Sequence, residues 1–295
     1  MKSINSLPND ERRESMKVEY KTAKGVSRLN EDSLIINKDE LVYGVADGVS
    51  SLVPFTSRKN LTGGYIASNE VKQHFESNKK HGDLFSGVSR VNQRIQDEMK
   101  KYDIDISKKE TLWGTALALL KITDTSIEYI QTGDCMLIAV YNNDETRVLT
   151  RLQVEHLESS AIQKWKEGIE QGVKSKSELT KRVKDILISN RHKSNTEDGY
   201  GVLNGEQNAM DYVEIGSINK IGIKQLILMT DGMFYPEEVV PGGMDYWKFI
   251  TSTLNTKGLD QYVNDLVNIE ESDPECIAYP RFKKSDDKAA IIITF

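Results

Sequence analysis

Acidic residues stand at the ends of several short apolar runs in this sequence, and these carboxylates are the residues most able to do chemistry. Asp47 ends LVYGVADG, Asp231 ends LILMTDG and Asp134 ends IEYIQTGD. Asp286–Asp287 opens DDKAAIIITF, and Glu31–Asp32 precedes a further run. Carboxylates avoid protein interiors unless a cation neutralises them. If the runs are strands whose ends meet at one edge, their repulsion predicts a site for a multivalent cation.

The donor types indicate which cation this would be. The acidic groups offer oxygen atoms only, and no cluster of histidine or cysteine competes with them. Oxygen donors select hard ions such as Mg²⁺, Mn²⁺ or Ca²⁺ over zinc. Cys135 and Cys276 form no zinc-ligand spacing, and Cys135 is expected to be a small core residue. The alternative for each Asp-Gly, taken singly, is an ordinary turn at a strand end.

Hydrophobic patterning predicts the elements that position these residues. Short runs rich in Val, Ile and Tyr predict strands over 33–37, 41–46, 112–122, 126–131, 136–141, 147–151, 226–230 and 288–295. Helical spacing predicts helices over 62–77, from Asp83 onward, over 157–189 and, as a pair, over 245–268. This order is typical of an α+β protein with antiparallel sheets flanked by helices. We expect one domain over residues 1–295, with a loose tail over about residues 1–15.

The overall composition narrows the class of protein. The 295 residues carry 39 basic and 45 acidic side chains, a formal net charge of -6, which argues against nucleic acid as the main partner. No apolar run reaches the roughly 18–20 residues of a membrane span, and the polar start lacks the pattern of a signal peptide. Two cysteines are too few for a disulfide framework. A cytoplasmic protein without membrane or nucleic-acid partners is the expectation.

The ordered motifs resemble those of the PP2C-type (PPM) metal-dependent protein serine/threonine phosphatases. They are NEDS at 30–33, GVADG at 44–48, TGD at 132–134, MTDG at 229–232 and DD at 286–287. GTALALL, from Gly114, resembles the core strand before TGD, and the resemblance runs from about Val18 to Phe295. It implies a four-layer α-β-β-α sandwich, in which two antiparallel sheets pack face to face between helices. It also implies hydrolysis of phosphoserine and phosphothreonine in proteins with two Mn²⁺ or Mg²⁺ ions.

The same resemblance assigns roles to residues. Asp47 would bridge the two ions, the carbonyl of Gly48 would bind one of them, and Asp231 and Asp286 would complete the protein ligands. Glu31 and Asp32 would hold waters beside the ions. Asp286 is preferred to Asp287 because the family ligand is the first acid of the pair, and Asp287 is expected to face solvent.

The sequence also departs from the family pattern. The family's phosphate-binding arginine lies four residues before the glutamate, where this chain has Ser27. Arg28 is one step closer and would reach the phosphate if the strand has a bulge; otherwise it is a surface residue. A third metal in relatives uses Asp134 and an acid at the position of Tyr235. A third site is therefore absent or differently built, and Asp134 is then structural.

Three functions remain open from the sequence. The first is a protein phosphatase that acts as a monomer on a phosphorylated protein, using an activated water because no nucleophile motif is recognisable. The second is a catalytically weak relative that serves as a binding or regulatory module. The third is a hydrolase of small phosphate esters. The charged stretch 157–197 is either a variable flap beside the site or a solvated helix pair.

Overall fold

A computed structural model describes residues 16–77 and 82–295, so the expected tail over residues 1–15 lies outside the described part. The strands in these ranges are β1 (Lys17–Ala23), β2 (Ser33–Asn37), β3 (Val42–Val49), β4 (Gly114–Ile122), β5 (Ser126–Thr132), β6 (Met136–Tyr141), β7 (Thr146–Val148), β8 (Glu214–Asn219), β9 (Ile223–Met229) and β10 (Lys288–Thr294). The α-helices are α1 (Gly63–Glu76), α2 (Leu84–Lys101), α3 (Glu155–Glu170), α4 (Lys176–His192) and α5 (Tyr246–Ser272).

The strands form two five-stranded sheets in which every pairing is antiparallel. The first sheet has the order β1-β10-β9-β6-β7, and the second has the order β2-β3-β4-β5-β8. A buried apolar layer joins their facing sides, with Val45 and Leu120 from one sheet and Leu228 and Ile291 from the other. The alternation of side chains along each strand leaves a second apolar face on each sheet.

Helices cover both outer faces. Val91 and Ile95 of α2 pack with α1 against Leu117 and Leu119 of the second sheet. On the first sheet, α5 packs its apolar side against β9 and β10. The expected four-layer α-β-β-α sandwich of two antiparallel sheets flanked by helices is therefore confirmed.

Side-chain caps and one glycine set the helix boundaries. Thr62, Asp83 and Asp245 each accept a hydrogen bond from a backbone N–H of the first turn, which satisfies a donor that the helix leaves unpaired. Gly258 (φ 75°, ψ 161°) interrupts α5, so the expected helix pair over 245–268 is present as two segments that meet at this residue. None of the helices in the described ranges combines the length and apolar character of a bilayer span.

Two strands escaped sequence-based prediction. β1 and β8 are edge strands of the two sheets, and their residues alternate between half-buried and exposed without a continuous apolar run. Edge strands of this kind carry polar residues that discourage pairing with other chains. The pattern of hydrophobicity therefore indicates the central strands more clearly than these two edge strands.

The region 157–189 forms a hairpin of helices, α3 and α4. Trp165 of α3 lies in a small buried cluster with Leu179 and Val183 of α4, and with Cys276 from the loop that follows α5. The Trp165 Nε1 donates to the carbonyl oxygen of Cys276 at 2.9 Å. The hairpin is thus packed onto the loop that leads to β10 and is more than a solvated pair of helices.

Candidate metal centre

Three of the predicted aspartates lie at one edge of the first sheet. Asp231 follows β9, Asp286 precedes β10 and Asp134 precedes β6. The register pairs the last residue of β9 with the first residue of β6 and with the third residue of β10. Because these neighbours are antiparallel, the end of β9 and the starts of β6 and β10 meet at the same edge.

Two further aspartates reach this edge from the second sheet. Asp47 lies at the end of β3, and Asp32 precedes β2, whose first residue pairs with Ala46. The Thr230 hydroxyl, beside Asp231 on the first sheet, donates to Asp32 Oδ2 at 2.7 Å. This hydrogen bond joins the two sheets at the acidic edge, a term used below for Asp32, Asp47, Asp134, Asp231 and Asp286.

The carboxylates of the acidic edge act on one another electrostatically. Burial raises the pKa of Asp32, Asp47, Asp134 and Asp231 above the ordinary value, and the negative charges of neighbouring carboxylates raise it further. Asp286 is among the neighbours that raise the pKa of all four. Such shifts arise only between close charges in a poorly solvated place. The structure therefore brings the five aspartates together.

The carboxyl groups of Asp47 and Asp231 lie close enough for each to act on the pKa of the other. The Oδ1 of Asp231 is buried and has no hydrogen-bond partner among the described residues. A buried acceptor without a partner is costly, and a cation is one of the groups that could satisfy it.

The chemistry of the donors fits divalent cations, although a finished coordination sphere is not assembled. Within residues 16–77 and 82–295, no group of three or more His, Cys, Asp and Glu side chains is arranged to hold a metal ion. One of the predicted ligands, Asp286, is paired with Lys283 instead. The oxygen-only donors and the unpartnered oxygen of Asp231 nevertheless suit hard cations.

Lys283 is a cation that contacts a carboxylate of the acidic edge. Its Nζ lies 2.8 Å from Asp286 Oδ1 and 2.7 Å from Asp286 Oδ2. The protein atoms around its ammonium group partly desolvate it and lower the pKa of Lys283, but the charges of Asp286, Asp231 and Asp47 outweigh this effect and raise the pKa above its ordinary value. No motif in the sequence indicates this contact, because Lys283 stands in the short basic run RFKK.

Glu31 lies beside the turn that follows Asp47. The Ser50 hydroxyl donates to Glu31 Oε1 at 3.0 Å, and the Ser68 hydroxyl donates to the Glu31 carbonyl at 2.5 Å. Gly48 is required here because a Cβ at that position would lie 2.5 Å from the carbonyl oxygen of Gly64 and 2.6 Å from that of Glu31. Glu31 and Gly48 are therefore neighbours at the start of α1.

Asp287 does not face solvent, and the expectation that it would is wrong. Its side chain is buried, and its Oδ1 and Oδ2 accept from the backbone N–H groups of Gly25 and Glu31, both at 2.8 Å. The backbone of Asp287 also approaches β9 so closely that a Cβ on Gly232 would lie 1.8 Å from its carbonyl oxygen. The carboxylate of Asp287 therefore holds the loop before β2, and its backbone packs against the turn after β9. Both contacts join residues that are distant in the sequence.

Arg28 lies in the loop between β1 and β2, where no strand bulge directs it, and it is exposed. Its carbonyl oxygen accepts from Lys24 Nζ at 3.5 Å. A second arginine, Arg191 at the end of α4, reaches from the helical hairpin to the turn that follows β3. Its Nη2 donates to the Ser50 carbonyl at 3.2 Å, and it hydrogen bonds to the Tyr200 hydroxyl. Arg191 thus fastens the hairpin beside the site.

Glu158 of α3 is an acidic neighbour that the sequence did not indicate. Burial and the charges of Asp231 and Asp286 raise the pKa of Glu158 to about 7, and Glu158 in turn raises the pKa of Asp134. Tyr235, at the position where relatives carry an acid, points into the apolar layer under α5, and its hydroxyl donates to the Tyr262 carbonyl at 3.4 Å. The helical hairpin therefore supplies an acid, Glu158, that lies close enough to Asp134 to raise its pKa.

Comparison with solved structures supports the fold. A bacterial serine phosphatase superposes with a TM-score of 0.55 at 14% sequence identity, covering 95% of this chain and 97% of that one. The Mycobacterium tuberculosis serine/threonine phosphatase PstP/Ppp gives a TM-score of 0.53 at 13% identity, with 95% of this chain and 98% of that one covered. Stp1 from Staphylococcus aureus gives a TM-score of 0.52 at 13% identity, with 95% of both chains covered. Among curated proteins, no significant match is found.

The family is established by the sequence itself. The profile of the family described as protein phosphatase 2C matches residues 26–269, which is most of the chain. The matched segment contains four of the five aspartates of the acidic edge, and the fold is that of serine/threonine phosphatases, which are hydrolases. This protein belongs to the protein phosphatase 2C family.

Proposed function

We propose that this protein removes phosphate from phosphoserine and phosphothreonine residues of other proteins with the help of two divalent ions, Mn²⁺ or Mg²⁺. The observation that carries the proposal is the meeting of Asp47, Asp231 and Asp286 at one edge of the two sheets. Membership of the family supports it. So does a structural neighbour, the catalytic domain of PstP, which was solved in complex with two manganese ions.

Four residues would hold the ions in this proposal: Asp47 as the bridge, Gly48 through its carbonyl oxygen, Asp231 and Asp286. The bound ions would lower the pKa of a water and neutralise charge on the phosphoryl group. Gly48 suits its part because its neighbours leave no room for a side chain. Asp231 suits its part because one of its buried oxygens has no partner among the described residues.

Glu31 and Asp32 would hold waters beside the ions, and each is fixed for this by another side chain. Thr230 orients Asp32 through a 2.7 Å hydrogen bond, and Ser50 orients Glu31 at 3.0 Å. Carboxylates held in this way commonly tune the groups bound next to them. Arg28 is exposed in the loop before β2, and we give it no part in holding the ions.

The remaining features of the proposal concern the whole chain. We place the activity in one domain over residues 1–295, in a monomer of the cytoplasm whose substrate is a phosphorylated protein. The helical hairpin α3–α4 would shape the approach of that substrate, because Arg191 contacts the turn after β3 and Glu158 lies beside the acidic edge. The substrate surface would thus be set by residues outside the motifs at the strand ends.

A second function, a catalytically weak binding module, is favoured by two observations. Arg28 is exposed, and no group of three metal-binding side chains is assembled among the described residues. In that case the fold and the acidic edge would persist without efficient turnover. Activity measurements separate this possibility from the first.

The test compares hydrolysis of a phosphoserine or phosphothreonine peptide and of p-nitrophenyl phosphate, in Mn²⁺ and then in chelator. We expect metal-dependent activity on the peptide. Asp47→Asn and Asp231→Asn should each reduce kcat more than about 100-fold while leaving the circular dichroism spectrum unchanged. Asp144→Asn is the matched control, because that side chain is 76% exposed and pairs with Lys224.

Each outcome of this assay assigns one function. Activity on neither substrate would support the binding module, and activity on p-nitrophenyl phosphate alone would support a hydrolase of small esters. Full activity in Asp47→Asn or Asp231→Asn would refute the placement of the site at the acidic edge.

A further inference from the structure

Lys283 contacts the acidic edge through its positively charged ammonium group, which binds a carboxylate as a metal ion would. Its ammonium group lies within 2.8 Å of one oxygen of Asp286 and 2.7 Å of the other, so that it covers both. Its side chain is 58% exposed and that of Asp286 is 26% exposed, so the contact is at the mouth of the site and open to exchange with solvent. An ion that binds Asp286 must therefore compete with this ammonium group.

The charge of Lys283 extends beyond Asp286. The negative charges of Asp231 and Asp47 also favour its charged form, and its positive charge acts on Glu158 of the helical hairpin. Lysine is a compact point charge that carries hydrogen-bond donors and no acceptor. One such charge only partly neutralises a cluster of this many carboxylates.

The loop that carries Lys283 is held firmly by its own contacts. Arg281 donates to Asp273 Oδ2 at 2.9 Å, to the Glu270 carbonyl at 3.0 Å and to the Lys284 carbonyl at 3.0 Å. The Cys276 thiol lies 3.5 Å from the carbonyl oxygen of Lys283. Because the backbone is fixed on both sides, the ammonium group can enter or leave the acidic edge by side-chain rotation alone, with the fold unchanged.

We propose that Lys283 is the built-in counter-ion of the acidic edge, and that a divalent cation binds by displacing its ammonium group from Asp286. This inference rests on the proposed function, since it assumes that divalent cations bind at this edge. Lys283 would then keep the site folded and partly neutralised when metal is scarce. It would also set the metal concentration above which the site fills.

Replacing the lysine with an uncharged side chain of similar length should strengthen metal binding. For Lys283→Met we expect a Kd for Mn²⁺ about three- to tenfold lower than that of the parent. The free energy needed to break a solvent-accessible ion pair corresponds to a change in Kd of about this size. Without metal, Lys283→Met should have a lower Tm than the parent, since the carboxylates lose their counter-charge. Mn²⁺ should therefore raise the Tm of this variant by more than it raises that of the parent.

The experiment uses the full chain stripped with chelator and titrated with Mn²⁺ alone, by isothermal titration calorimetry and by thermal unfolding. Lys284→Met is the matched control, because it removes the same charge one residue away and Lys284 enters no ion pair with the acidic edge in the described part of the chain. Lys283→Arg, which keeps the charge, should bind Mn²⁺ as weakly as the parent. Far-UV circular dichroism verifies that each variant is folded.

The possible results separate this inference from the proposed function. If the parent binds no Mn²⁺ or Mg²⁺, the proposed function fails. If the parent binds Mn²⁺ and Lys283→Met binds it with the same or lower affinity, displacement of Lys283 is refuted while the metal site stands. A gain in affinity as large in Lys284→Met would show a general effect of net charge and would also refute the specific role of Lys283.

Discussion

Replacing Asp287 with asparagine tests whether this residue is the anchor of the loop before β2. Its two oxygens accept from the backbone N–H groups of Gly25 and Glu31 at 2.8 Å, and its side chain is only 5% exposed. Asparagine keeps one acceptor oxygen but turns its amide donors toward the other N–H. One charge-assisted hydrogen bond is then lost, and a buried donor is left without a partner.

The expected cost of Asp287→Asn is about 2 kcal/mol of the free energy of unfolding, the usual range for such a loss. For a chain of this size that corresponds to a fall in Tm on the order of 5 °C. The assay is urea denaturation in chelator, followed by circular dichroism, so that metal binding does not enter the result. Asp286→Asn is the matched comparison, since it removes the same charge from the adjacent, partly exposed residue.

The two variants should separate stability from activity. Asp286→Asn should leave the free energy of unfolding within about 1 kcal/mol of the parent, as exposed ion pairs contribute little, and should abolish metal-dependent turnover. Asp287→Asn should be the less stable of the two. Equal stability of Asp287→Asn and the parent protein would refute the anchoring role. It would also restore the view from sequence that this position faces solvent.

Three further predictions follow from the site. In chelator, Tm should be higher at about pH 6 than at about pH 8. The pKa of Glu158 is raised from an ordinary 4.5 to about 7, so the folded state holds a proton that the unfolded state releases. The stability that this proton provides is lost as the pH rises through 7. Glu158→Gln should reduce that difference, and a Tm that increases toward pH 8 would contradict the reasoning. Gly232→Ala should destabilise the protein by about 3 kcal/mol in urea denaturation, because its Cβ would overlap the carbonyl oxygen of Asp287; wild-type stability would refute this packing. Arg28→Ala should leave KM for a phosphopeptide unchanged, whereas Arg191→Ala should raise it by loosening the helical hairpin, and the reverse order in steady-state kinetics would assign the phosphate to Arg28.

The sequence predicted the parts of the fold that local patterns encode. The central strands are continuous apolar runs, and the helices follow periodic spacing and side-chain caps, so their positions were correct to within a few residues. β1 and β8 were missed because these two edge strands lack such runs, unlike the edge strand β2. The meeting of the aspartates was predictable because each stands at the end of a strand, and antiparallel pairing brings alternate strand ends to one edge.

Other features of the site depend on contacts between residues distant in sequence. Asp287 and Asp286 are identical in type and adjacent, yet one binds two backbone donors 256 and 262 residues away while the other faces the acidic edge. Glu158 and Lys283 each stand among several charged neighbours in the sequence, and only the packing of α3 and of the loop before β10 selects them. No periodicity or motif distinguishes them in the sequence.

The loop before β10 also explains why substitutions of charge at this site should be informative. Lys288, almost fully buried, donates to both oxygens of Glu270 at 2.8 Å and to the Asp286 carbonyl at 2.9 Å. Arg281 binds Asp273 on the other side of the same loop. These ion pairs hold the backbone around Asp286, to which its own carboxylate adds one hydrogen bond, accepted from the Asp287 N–H at 2.9 Å. A change of charge on the side chains of Asp286 or Lys283 should therefore alter the binding of cations while the backbone that presents them stays in place.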